Sequence, residues 1–198
     1  MIVIQFIGIF LAALSVENLL FTRAMDVPHM REMCASPKRI IEYGCLVTLI
    51  LIVAAPFSYG AAKLLRGLPV YGYILALVML LILTGLYAGA YFLLKKYAPL
   101  WFQRIGRQLP YAAFNCATLG TMLLASKDAE INRLWKCLAY HMGAGVGFMA
   151  AMLLLWSVHR RQKSSQAPNS FRGEPLQLVT IGLIALALAG LVGNQLPA

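Results

Sequence analysis

Apolar residues in this chain come in long runs, and the charged residues gather between them. Six runs approach or exceed the roughly 20 residues a helix needs to cross a bilayer. They are Ile2–Thr22, Ile40–Leu64, Tyr71–Leu94, Leu109–Ala125, Leu134–Val158 and Leu176–Leu196. Hydrocarbon contains no water, so each run must form a helix, or a broken helix whose freed backbone groups are met by protein. The predicted fold class is an all-α polytopic membrane protein with six transmembrane helices.

Composition sharpens this picture. Of 198 residues, 61% are hydrophobic and 12% charged, against a usual charged share of about 25%. A soluble domain of this size could not hide so much apolar surface. The net charge of +10 would suggest nucleic acid in a soluble protein. Here the basic residues flank apolar runs, which reads as topology and argues against nucleic-acid binding. The first, third and fifth connections hold 12 of the Lys and Arg residues, and the second and fourth hold 5. The first set is therefore expected in the cytoplasm and both termini outside. The first charge is Glu17, so no basic leader and no cleavable signal peptide are expected. Tyr71, Tyr73, Tyr97, Trp101, Trp135 and Trp156 fall near run ends, as interfacial aromatics should.

Polar residues inside the runs carry the candidate chemistry. Glu17 and Asn18 lie toward the cytoplasmic end of the first run, and Asn115 and Cys116 interrupt the fourth. An intramembrane carboxylate or amide is costly and needs a partner or a task. Glu17 reads either as a group facing a neighbouring helix or the interface, or as part of an ion or proton path. The chain divides near Pro99 into two three-run blocks, residues 1–98 and 99–198. An odd number of crossings makes any repeat between them inverted, an arrangement that often sets a site at the midplane. Asn18 and Asn115 occupy comparable places in the two blocks. Small residues cluster in Gly85–Ala90, Gly143–Gly147 and Ala185–Gly193, as at faces where helix backbones approach closely, within the chain or against other protein. Pro56 should bend the second run. His141, alone in the fifth, reads as a packed, hydrogen-bonded residue or as a proton relay.

The cysteines are Cys34, Cys45, Cys116 and Cys137, with no pair at C-x-x-C spacing. Cys45 and Cys137 read as small buried apolar residues. Cys116 differs in its company, following Asn115 and Pro110 and preceding Gly120. Its sulfur is expected to face an interior shared with neighbouring protein rather than lipid. A thiolate there suits iron–sulfur chemistry, although a two-iron cluster takes four such ligands.

These segments together resemble the six-helix membrane subunits of the Rnf/Nqr family, nearest the Rnf A-type and Nqr E-type branch. The resemblance rests on Leu109-Pro110 followed by Asn115-Cys116-Ala117-Thr118-Leu119-Gly120, on Gly143 to Phe148, on Pro168 with Phe171-Arg172-Gly173, and on Val16-Glu17-Asn18. It implies an inverted three-plus-three fold with broken first and fourth helices, paired with a homologous six-helix subunit. It also implies a two-iron two-sulfur cluster shared with that partner, each of the two giving one first-helix and one fourth-helix cysteine. The complexes couple electron transfer to sodium or proton movement across the bacterial inner membrane, and one membrane subunit has no activity alone. On this resemblance Cys116 is the metal ligand, Asn115 and Asn18 brace the breaks, and Glu17 handles ions. One departure stands out. The family's first-helix motif runs Leu-Gly-x-Cys, whereas this chain has Ala24-Met25-Asp26-Val27-Pro28-His29. Val27 or Pro28 replaces the cysteine, and Asp26 the bend-permitting glycine. A divergent, cluster-less paralogue acting as a small transporter or structural subunit is the alternative.

Overall fold

The computed structural model describes residues 2–15, 18, 20–21, 36–66, 71–128, 131–162 and 174–192. The described helices are α1 (Ile2–Ser15), α2 (Pro37–Leu65), α3 (Tyr71–Tyr97), α4 (Pro99–Ile105), α5 (Leu109–Ala113), α6 (Cys116–Lys127), α7 (Leu134–Gln162) and α8 (Glu174–Val192). All but α4 overlap one of the six apolar runs, and the described residues contain no strand.

Local chemistry sets the ends. Ser36 caps α2, its hydroxyl accepting from the Arg39 amide at 3.5 Å with Pro37 in the first turn; both residues suit a helix start. Pro99 cannot continue α3 and instead opens α4, where its missing N–H costs nothing. α2 remains helical through Pro56.

α2, α3 and the Leu134–Val158 part of α7 are long and apolar enough to cross a membrane. With 29 residues, α7 is roughly 43 Å long at about 1.5 Å per residue, more than the hydrocarbon core requires. The first and fourth runs give shorter pieces. The described part of α1 ends at Ser15; Asn18, short of the Thr22 boundary expected from hydrophobicity, is not helical, and Leu20 and Phe21 are. The fourth run is two helices, α5 and α6, separated at Phe114 and Asn115. The sixth run gives α8, 19 residues from Glu174 to Val192. The chain is thus an all-α, multi-pass membrane protein.

α2 and α7 form the central pair, α1 packs along α7, α5 and α6 pack on α2 and α3, and α8 touches α7 lightly. Missing side chains make this closeness possible. A Cβ on Gly143 would collide with the Phe10 carbonyl oxygen of α1, and one on Gly147 would sit 2.7 Å from the Leu14 oxygen. On the other side of α7, a Cβ on Gly145 would lie 2.9 Å from Thr48 Cα, and one on Gly44 of α2 would lie 2.6 Å from Met149 Cγ. Small residues let membrane helices associate through backbone contact where no hydrophobic force drives them together. Tyr43, Val47, Leu51, Phe148 and Met152 fill the resulting seam, all fully buried. The equivalent expectation for α3 and α8 has a different outcome. Added Cβ atoms at Gly85, Gly89, Gly182 and Gly190 would meet nothing within 4 Å, so these faces are unused among the described residues.

Candidate functional site: two asparagine-sealed helix breaks

A helix broken inside a bilayer exposes backbone donors and acceptors that only protein can satisfy. Residues 109–121 meet that requirement almost entirely from their own side chains. Asn115 adopts an extended backbone (φ −81°, ψ 140°) and caps α6, its Oδ1 accepting from the Ala117 amide at 2.8 Å. Thr118 Oγ1 lies 2.9 Å from the Ala113 carbonyl, an acceptor that the end of α5 would otherwise leave open, and 2.7 Å from the Asn115 carbonyl. The Leu119 amide also donates to the Asn115 carbonyl, at 3.2 Å. Asn115 Nδ2 then donates to the Tyr43 hydroxyl of α2 at 3.0 Å, and that hydroxyl donates to the Tyr111 carbonyl at 3.4 Å. The Tyr43 ring is held by Phe148 of α7, with centroids 6.2 Å apart. Phe114 packs on Tyr87 of α3 at 5.3 Å, so the break is fixed against α3 as well.

Asn18 performs the same local task in the first run. Its Oδ1 accepts from the Leu20 amide at 3.1 Å, two residues on, as Asn115 does for Ala117. Its Nδ2 donates to the Leu14 carbonyl at 3.2 Å and to the Gly147 carbonyl of α7 at 2.9 Å. Asn18 and Asn115 are both buried, at 6% and 2% exposure. Each asparagine therefore seals a break in its own block and ties it to a long helix of the other block.

The thiols are placed differently from one another. Cys116, the first residue of α6, is on the surface of the chain, while its neighbour Asn115 is enclosed. A surface thiol beside a fixed helix break is accessible to neighbouring protein. Cys45 is also exposed, which corrects the expectation that it is buried. α2 turns it toward the face that carries exposed Ile41 and Leu49, and a thiol is apolar enough for that setting. Cys137 is buried as expected, its thiol directed at the Ala55 carbonyl at 3.6 Å. His141 is fully buried and bonded through Nδ1 to the Cys137 carbonyl at 2.8 Å, while Nε2 has no hydrogen-bond partner among the described residues.

Glu17, Cys34, the Val27–Pro28 position and the Phe171-Arg172-Gly173 segment lie outside the described residues. Among the described residues, no group of three or more His, Cys, Asp or Glu side chains could hold a metal ion. The structure adds two site residues that hydropathy does not reveal, Tyr43 and Thr118. Both carry a hydroxyl inside an apolar run, and a hydroxyl in hydrocarbon needs a partner. That need was the available signal.

Comparison with known proteins identifies the family. Residues 6–194 match the model of the Rnf-Nqr subunit membrane protein family. The A-type member of the Na(+)-translocating ferredoxin:NAD(+) oxidoreductase complex of Acetobacterium woodii is 27% identical over 96% of this chain and 98% of its own length. The E-type member of the Na(+)-translocating NADH-quinone reductase of Psychromonas ingrahamii is 29% identical over 97% and 99%. The A-type member of an ion-translocating oxidoreductase complex from Syntrophotalea carbinolica is 26% identical over 93% and 95%. With nearly its whole length matched, this chain belongs to the Rnf-Nqr family of membrane subunits.

Proposed function

We propose that this chain is a membrane subunit of an ion-translocating electron-transport complex in the bacterial inner membrane, with both termini outside and no activity alone. The observation that carries the reading is the fourth-run break. Asn115, Thr118 and Tyr43 seal it from within, yet the adjacent Cys116 thiol faces outward. Such an arrangement serves a thiol that works against other protein. The relatives from Acetobacterium woodii and Psychromonas ingrahamii carry the names of complex subunits, which supports the same reading. The partners are a homologous six-helix subunit together with the remaining electron-transport subunits. Asn18 reaching α7 and Asn115 reaching α2 support an inverted relation between residues 1–98 and 99–198. Glu17 beside the first break is the candidate for ion handling.

In this proposal Cys116 brings one thiolate to a two-iron two-sulfur cluster shared with the partner. The donor set of this chain does not fit the full family pattern. Cys116 is present, but the first-helix position holds Val27 or Pro28, and neither side chain can ligate iron. The set falls one sulfur short of what the family pattern asks of this chain. The same shortfall favours a second reading, a cluster-less paralogue that keeps the fold as a transporter or structural subunit. Iron content and the electron paramagnetic resonance spectrum of the purified complex separate the two. Loss of cluster iron in Cys116→Ser, with assembly intact, is the expected result. Equal iron and an unchanged spectrum in both proteins would reject ligation and leave the cluster-less reading.

A further inference from the structure

Away from both asparagine breaks, the C-terminal ends of α2 and α6 meet the start of α7 around a cavity of about 150 Å³. That volume suits one compact group, since an engineered cavity of roughly this size admits benzene and a water occupies about 30 Å³. Its rim holds exposed Lys63, Arg66 and Asn132; its floor holds buried Ser58, Ser126 and Cys137. We propose that this cavity binds a phosphate group.

Three observations lead there. The first is charge. Lys63 and Arg66 stand three residues apart at the end of α2, no carboxylate lines the cavity, and no described residue forms an ion pair with either. An ammonium and a guanidinium beside one small space match a phosphate, which the guanidinium can grip with two parallel bonds. The second is an orphan hydroxyl. Ser58 Oγ is buried, at 1% exposure; its polar neighbour is the Cys137 thiol, a weak partner, and it has no hydrogen bond of ordinary geometry among the described residues. The other polar groups around it are engaged elsewhere. Ser126 Oγ donates to the Leu123 carbonyl at 2.8 Å and Tyr59 to the Asn132 carbonyl at 3.1 Å, which leaves only the thiol beside Ser58. A buried hydroxyl left unpaired is costly, so a ligand oxygen at the cavity floor accounts for it. The third is position. The cavity lies at the C-terminal end of α2 and the start of α7, both long enough to cross a membrane, and the end of a spanning helix is where a bilayer presents its polar headgroups. Lys63 alone could simply complement the α2 C-terminus, but that role involves neither the cavity nor Ser58.

The phosphate could belong to a lipid headgroup or to a free anion, and the test distinguishes them. The full chain in a neutral detergent is examined by native mass spectrometry and thermal shift with three probes: dioleoylphosphatidylglycerol, dioleoylglycerol (the same tails without phosphate) and inorganic phosphate. The expected result is retention and stabilisation by phosphatidylglycerol and not by dioleoylglycerol. Stabilisation by inorganic phosphate and not by phosphatidylglycerol would support the phosphate site and assign it to a free anion rather than a lipid. Ser58→Ala and the pair Lys63→Gln with Arg66→Gln should each weaken binding roughly tenfold, the usual scale for a lost charge-assisted bond. Ala62→Leu, which fills the cavity but keeps both charges, should abolish binding while elution as a single species reports an intact fold. Equal binding of phosphatidylglycerol and dioleoylglycerol without any phosphate effect would overturn the proposal. So would undiminished binding in the cavity-filled protein.

Discussion

The two asparagine breaks make the same turn but are anchored in different ways. Asn115 hands its amide hydrogen to a side chain, the Tyr43 hydroxyl, which passes a hydrogen bond to the Tyr111 carbonyl. Asn18 hands its amide hydrogen to backbone, the Gly147 carbonyl of α7. A side-chain anchor can be deleted one hydroxyl at a time. A backbone anchor cannot be deleted, only displaced, and at Gly147 the acceptor sits on a residue that also lets α1 approach α7. The first break is therefore bound up with helix packing. The second is a local polar network that can be tuned separately, and the exposed thiol of Cys116 adjoins that tunable one.

Substitutions can break this contrast or sharpen it. The largest effect is expected at Gly147. In Gly147→Val the new Cβ has no space against the Leu14 backbone, so α1 must move and the Asn18 bond to α7 is lost with it. Overpacking of this kind costs about 3 kcal/mol or more, and thermal unfolding in detergent should show a large drop in midpoint together with poor accumulation in membranes. Wild-type stability in this variant would refute the backbone-anchor account.

Asn115→Ala should come next, at about 2 kcal/mol, combining loss of a helix cap with buried partners left short of a hydrogen bond. α1 should stay docked, so disulfide trapping between cysteines introduced into α1 and α7 should proceed as in the parent. Impaired trapping would mean that the two breaks are coupled. Tyr43→Phe removes only the hydroxyl and should cost about 1 kcal/mol, measured by the same unfolding assay. A Tyr43→Phe loss as large as that of Asn115→Ala would show that the tyrosine, and not the cap, holds the second break.

The smallest effect on the isolated chain is expected for Gly85→Leu on α3. An added side chain there meets open space, so stability should change by less than about 0.5 kcal/mol. If α3 presents this face to a partner, the same substitution should reduce co-purification of the complex while the single chain stays monodisperse. A marked loss of stability in the single chain would mean that the face is already used within it.

How much of this was legible beforehand varies by element. The long helices were, because a bilayer leaves a long apolar run such as Tyr71–Tyr97 one economical structure. The family was legible too, from Asn115-Cys116 and the glycines of the fifth run. The end of α1 was not. Ile2–Thr22 reads as a continuous span, but Asn18 within it is not helical and finds acceptors on Leu14 and on distant Gly147. The outward turn of Cys45 was hidden as well, since periodicity is weak where nearly every residue of α2 is apolar.

Sequence by itself determined the solvent of this protein, the places where chain could cross it, and the amides and thiols that would be expensive there. Those properties follow from the free energy of transferring each side chain and peptide group into hydrocarbon, which depends on residue type alone. Tertiary structure decided which glycines became contacts, at Gly143 and Gly147, and which stayed open, at Gly85 and Gly89. It also decided that Tyr43 and Gly147 would be the anchors of the two breaks. Two similar small-residue patterns differ only in whether another helix arrives, and a hydrogen bond spanning 129 residues exists only once packing has brought its ends together.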